Sequence, residues 1–183
     1  MTHISERDNI QRNGIREIME LAMTMEDVIS LQVGEPAIST PDFVKDGAIQ
    51  AIQDGFTRYT ANAGYPSLRK AIVDRIYNRY RKKIDINNVL VSPGAVASIN
   101  IMLYSIVDKD EEVLIPDPSY PNYDGLVRIQ DAVPVYYQTP IENDYLPDLD
   151  DIRSKITNRT RAIILNSPNN PTGKVYPPEI VQE

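Results

Sequence analysis

Apolar and polar positions alternate along this chain with two different periods. Up to about residue 83 the spacing is helical. Ile15, Ile18, Met19 and Ala22 fall on one face of a helix beginning near Gly14. In "TPDFVKDGAIQAIQDG", Val44, Ala48, Ala51 and Ile52 make a stripe, with Thr40 predicted as N-cap, Pro41 at the first helical position and Gly55 as the stop. "PSLRKAIVDRIYNRYRKK" stacks Leu68, Ile72, Ile76 and Tyr80 at spacings of four. Between these, "ISLQVGEP" (29–36) reads as a short strand broken by Gly34 and Pro36, and "YTANAGYP" (59–66) as a loop.

From residue 89 onward short apolar runs alternate with helical stretches. Strands are predicted at 89–92, 112–118, 132–137 and 161–166. Helices are predicted at 94–107, after Pro121 and at 147–156. Strands separated by helices imply βαβ crossovers and a mostly parallel sheet, hence an α/β class. Pro134 has no N–H to give to a ladder, so its strand belongs at a sheet edge.

Composition narrows the chemistry. Apolar residues make up 42% of the 183, enough for a core. With 19 basic against 26 acidic side chains the net charge is −7, which argues against nucleic acid as a partner. There is no cysteine, and His3 is the single histidine, so thiolate chemistry, Ser–His–Asp catalysis and polyhistidine metal sites are not expected. No apolar run suggests a signal peptide or a membrane span, and the expected location is the cytoplasm. "DKDEE" (108–112) reads as a polar turn, "DLDD" (148–151) as an acidic first turn of a helix, and the basic, tyrosine-rich 75–83 as a solvated helix face.

Three irregular loops follow predicted strands: "SPGAV", "PDPSYPNY" and "NSPNNPTG". All leave carboxyl ends, the edge where open parallel sheets bind ligands. Gly94 opens a helix whose first N–H groups suit a phosphate, though a tight strand-to-helix turn also explains it. Tyr120, between Pro118 and Pro121, offers a flat ring for stacking, or packs beside the sheet. Asn170 sits in a loop restrained by Pro168 and Pro171, where its amide can both donate and accept.

From about Gly14 onward the chain resembles the first part of a class I/II aminotransferase, a pyridoxal-phosphate (PLP) enzyme of fold type I. The motifs are "VISLQVGEP", "YTANAGYPSLRKAI", "VSPGAVASIN", "EVLIPDPSYPNY" and, most specific, "NSPNNPTG", in the family's order. The resemblance implies a three-layer PLP-transferase-like large domain whose mostly parallel sheet is incomplete. Residues 1–40 would form an N-terminal helical arm or small-domain segment, and residues 41–183 the first part of the PLP-binding domain. It also implies roles. Gly34 would offer a backbone group to the substrate carboxylate, and Tyr59 would reach the cofactor phosphate across a homodimer interface. Gly94, Ala95 and Val96 would cradle that phosphate, Tyr120 would stack on the pyridine, and Asn170 would bond its 3-oxygen while lying near substrate. Val96 stands where relatives often carry a polar residue.

The family's Schiff-base lysine, the aspartate at the pyridine nitrogen and the carboxylate-binding arginine lie downstream of the asparagine loop and have no counterpart here. Lys174 is outside the lysine's motif. No catalytic residue is therefore assigned, and these residues alone are expected to be inactive. The implied function is part of an enzyme moving an amino group from an amino acid to a 2-oxo acid. A PLP-dependent carbon–sulfur lyase or aminocyclopropane-carboxylate synthase, and a non-catalytic interaction module, are the alternatives. In the family's sheet the first strand does not pair with the second, so "VLVS" is expected to lack ladder partners, leaving the isolated chain unstable or self-associating.

Overall fold

A computed structural model describes residues 14–183; His3 lies outside the described residues. The described residues divide into two compact units, one of Ile18–Ala95 and one of Val96–Glu183 with Gly14–Glu17.

The Ile18–Ala95 unit is helical. Helix α1 (Gly14–Ala22), which begins just before it, keeps Ile15, Met19 and Ala22 half-buried, whereas Ile18 is exposed. Helix α2 (Asp42–Gln53) starts one residue later than the Thr40 cap requires: Pro41 holds the N-cap position, and no side chain caps it. Its end follows the glycine. Gly55 has φ +83°, its N–H reaches the Ile52 carbonyl, and the Phe56 N–H reaches that of Ala51, closing a Schellman turn. Helix α3 (Pro66–Tyr80) has Pro66 at its start, where a missing N–H costs nothing. Arg69 ties α3 to the 3₁₀ turn Ile86–Asn88, donating to the Ile86 carbonyl at 2.6 Å and that of Val89 at 2.9 Å.

Two strand expectations fail in this unit. Residues 29–36 are coil, with Ile29 and Leu31 largely exposed; Gly34 and Pro36 break a run already too short to nucleate a ladder. Residues 89–92 are also coil. Val91 donates to the Ala63 carbonyl at 3.1 Å instead of joining a sheet.

The Val96–Glu183 unit carries the sheet. Strands β1 (Glu112–Asp117), β2 (Val133–Gln138) and β3 (Thr160–Ile163) lie in the order β2-β1-β3, parallel throughout. Pro134 is on β2, at an edge, as its missing donor demands. Strand β3 is shorter than the apolar run 161–166 suggests. Helix α4 (Ala95–Ile106) leads into β1, α5 (Asn122–Arg128) connects β1 to β2, and α6 (Leu149–Lys155) connects β2 to β3. Asp148 caps α6 by accepting from the N–H groups of Asp150 and Asp151. A short α7 (Pro178–Gln182) follows.

Every residue of β1 from Glu112 to Pro116 is buried, the mark of a strand covered on both faces. Val113 and Ile115 join Leu103, Val107, Tyr123, Val127 and Ala132 in the core under α4 and α5. Leu114 and Pro116 alternate to the opposite face and are fully buried there.

Candidate active site

Strands β1 and β3 are parallel neighbours, so the loops after Asp117 and Ile163 leave the same edge of the sheet. The first runs from Pro118 to Pro121. The Asp117 carbonyl is held by the backbone N–H of Thr139 at 3.0 Å and by its hydroxyl at 2.9 Å, which anchors the loop to the end of β2. Tyr120 is half-buried. Its ring meets that of Tyr123 edge to face, with centroids 5.5 Å apart at 81°, and its hydroxyl accepts from the Asn122 amide at 2.8 Å. The two sequence readings of Tyr120 thus coexist: it rests on the core and keeps part of the ring accessible.

The second loop folds back on itself. The Asn169 N–H donates to the Lys174 carbonyl and the Gly173 N–H to the Asn169 carbonyl, both at 2.8 Å, with Gly173 at φ +71° closing the turn. Asn166 accepts the Asn170 N–H through Oδ1 at 2.9 Å, and Ser167 Oγ accepts the Tyr176 N–H at 2.9 Å. The backbone of Asn170 is therefore fixed. Its side chain is exposed and makes no hydrogen bond with the described residues.

Between the loops lies Asn169, only 3% exposed. Its Nδ2 donates to Thr172 Oγ1 at 3.1 Å and to the Pro118 carbonyl at 3.4 Å, joining the two loops. Beneath them sit Tyr123, Tyr137 and Tyr176. Burial first, and neighbouring tyrosines second, hold these phenols above the ordinary tyrosine range, so all three are neutral at physiological pH. Lys174 is ion-paired with Asp144, which suits a structural role and not that of a free amine.

At the start of α4, Gly94 has φ +97°, a conformation that side chains avoid, and open space where a Cβ would stand. Ala95 and Val96 follow in the first helical turn, whose N–H groups have no acceptor within the helix; Val96 is 40% exposed. Gly34 and Tyr59 belong to the Ile18–Ala95 unit, both on exposed coil, with the Tyr59 ring fully open. The structure thus groups Gly94, Ala95 and Val96 at one helix start, and joins the loops of Tyr120 and Asn170 at one sheet edge.

Sequence reasoning overlooked Asn169, Asn122 and Tyr123 as supports. Nothing local singles out Asn169, because its partner on the other loop, the Pro118 carbonyl, lies 51 residues earlier.

Residues 26–183 match the family described as aminotransferase class I and II. The chain belongs to that family. An aspartate aminotransferase of Pyrococcus horikoshii is 40% identical over 173 residues, which is 94% of this chain and 44% of the relative. A putative aminotransferase of Bacillus subtilis is 39% identical over 95% of this chain and 45% of its own length. Among solved structures, an alanine aminotransferase from Pyrococcus furiosus aligns with TM-score 0.92 and 36% identity over 98% of this chain and 48% of its own. An aspartate aminotransferase from Thermus thermophilus, solved with maleate, aligns with TM-score 0.94 and 31% identity over 100% and 49%. The chain therefore has the aminotransferase α/β fold, and it spans about half the length of the relatives it matches.

Proposed function

We propose that this chain supplies the N-terminal share of a PLP site in an enzyme that moves an amino group from an amino acid to a 2-oxo acid. One observation carries the reading: Asn170 presents an exposed, unengaged amide from a fixed backbone, on a loop joined to the one that bears the half-open ring of Tyr120. That pairing suits a planar heterocycle that carries an oxygen substituent.

The residues fit the group. Open space at Gly94 lets a phosphate ester approach the first turn of α4, where the backbone N–H groups of Ala95 and Val96 would hold it; the Gly94 N–H is already given to the Ser92 carbonyl at 2.8 Å, so Gly94 serves by leaving room. Tyr120 gives a stacking face, and the Asn170 amide donates to the 3-oxygen. Tyr59, wholly exposed, serves the phosphate of a second subunit in a homodimer, and Gly34 offers a backbone group to the substrate carboxylate. Tyr123, Tyr137 and Tyr176, all buried, support these loops. When bound, the cofactor supplies an electron sink for the substrate's α-carbon. Residues 1–40 act as an arm and 41–183 as the first part of the large domain. Among the described residues no helix is long and apolar enough to cross a membrane.

Proton transfer at the α-carbon needs an amine that the family places beyond the asparagine loop. We therefore expect the 183 residues alone to bind PLP weakly and turn nothing over. The test is to incubate the chain with PLP, reduce with borohydride and map labelled lysines while assaying 2-oxo acid release. Stable labelling of one lysine with turnover would overturn inactivity. Asn170→Ala should weaken pyridoxamine 5′-phosphate binding about tenfold, the worth of one hydrogen bond. Unchanged affinity would overturn the assignment of Asn170.

A further inference from the structure

We infer that Asn169 is a positioning residue, setting the distance and angle between the Tyr120 ring and the Asn170 amide. This rests on the cofactor reading above.

Asn169 bonds both loops through one side-chain amide. Its Nδ2 reaches the carbonyl of Pro118, two residues before Tyr120, while its own backbone sits next to Asn170. The backbone pairs Asn169–Lys174 and Gly173–Asn169 pin the residue in its turn, so any force on Pro118 is transmitted to a rigid loop. The amide orientation is set by its neighbours. Turning it over would bring Oδ1 against the Pro118 carbonyl, acceptor facing acceptor. In the orientation adopted, Oδ1 is buried and has no hydrogen-bond partner. A buried unpaired acceptor is destabilising, so the side chain is not placed to satisfy itself. Both of its donors are used instead, one within its loop on Thr172 and one across to the Tyr120 loop. The arrangement spends stability on fixing one loop against another, at the point where two groups must meet opposite sides of one ligand plane.

Three variants of the full 183-residue chain test this. Asn169→Asp keeps the shape and removes both donors. Asn169→Ala removes the side chain. Thr172→Val cuts only the bond within the turn. The first readout is amide hydrogen exchange. Both Asn169 variants should speed exchange in residues 119–123 as well as 169–174, whereas Thr172→Val should affect 169–174 alone. The second readout is a ligand pair. Asn169→Asp should weaken pyridoxamine 5′-phosphate about tenfold while inorganic phosphate binding stays within about twofold. Equal losses for both ligands would make Asn169 merely structural. Exchange in residues 119–123 unchanged by Asn169→Asp would overturn the inference. A wild-type chain that binds neither ligand would sink the cofactor reading, with the exchange data still deciding whether Asn169 couples the loops.

Discussion

Two glycines with nearly the same φ differ in what surrounds them. Gly94 has φ +97° and Gly64 φ +95°. A Cβ on Gly94 meets nothing within 4 Å, whereas one on Gly64 would lie 2.8 Å from Val91 Cβ and 2.9 Å from its Cγ2. Gly94→Ala should therefore cost only the backbone strain, about 1–2 kcal/mol. Gly64→Ala adds a clash with a β-branched side chain that cannot swing away, for about 2–4 kcal/mol in all. Urea midpoints of the two variants check the order, and adding Val91→Ala to Gly64→Ala should recover only the share due to Cγ2, since the Val91 Cβ at 2.8 Å stays in place. Equal midpoint shifts would contradict the packing seen at Val91. At this scale the sequence was informative about backbone: glycines were legible as turn positions. What a glycine faces was not, because Gly64 and Val91 are 27 positions apart.

The elements are held together by charge placed at their ends. Glu112, at the start of β1, is 3% exposed. It accepts from the hydroxyls of Thr157 at 2.6 Å and Thr160 at 3.3 Å and pairs with Arg159 at 2.6 Å. These bonds fasten β1 to the segment entering β3, where the register skips Arg161: Glu112 faces Thr160 and Val113 faces Ala162. The extra residue is put to use, since Arg161 donates to the Ile106 carbonyl at the end of α4 at 2.8 Å. The Thr157 hydroxyl first, with Arg159 and Thr160 behind it, outweighs the cost of burial and holds the Glu112 carboxyl below its usual value of 4.5. A depressed carboxylate stabilises the fold above its unfolded-state pKa, and that stability is lost as pH falls through the folded value. Acid unfolding should thus include a step below pH 4.5 that Glu112→Gln flattens. The same variant should lower stability at neutral pH by about 1–3 kcal/mol. An unchanged acid profile would show that the clasp carries no linkage. From sequence, "DKDEE" reads as a polar turn, and Glu111 and Asp108 behave so: the Asp108 N–H is held by Glu111 Oε2 at 2.8 Å. Its last residue does not, because a charge can be buried at a strand start once hydroxyls from a distant segment arrive to meet it.

At the scale of the molecule, several apolar positions of the described residues are left exposed. In α2, Val44 and Ile52 are 46% and 64% exposed although the helical pattern marks them as a buried face. Strand β3 pairs only with β1 among the described residues, and Ile163 and the following Leu165 stand 42% and 45% exposed beside that open edge. Edges of this kind invite pairing with another chain. Sedimentation should accordingly find the chain self-associating at micromolar concentration, and Ile163→Lys should shift it toward monomer by charging the edge. A wild-type monomer with sharp, reversible unfolding would refute this.

Periodicity determined that helices precede a run of alternating strands and helices and that the sheet is parallel, and proline's missing N–H that Pro134 marks an edge, since each follows from local geometry. It also located the three chemically unusual loops, because proline, glycine and asparagine restrict the backbone wherever they occur. Only the tertiary structure decided which apolar runs become strands. Residues 29–36 and 89–92 have strand-like patterns yet remain coil, because a strand exists only when another backbone is placed to receive its hydrogen bonds. The same dependence on distant partners hid Asn169: the sequence shows two asparagines side by side, and only the Pro118 carbonyl, 51 residues earlier, determines which one turns inward.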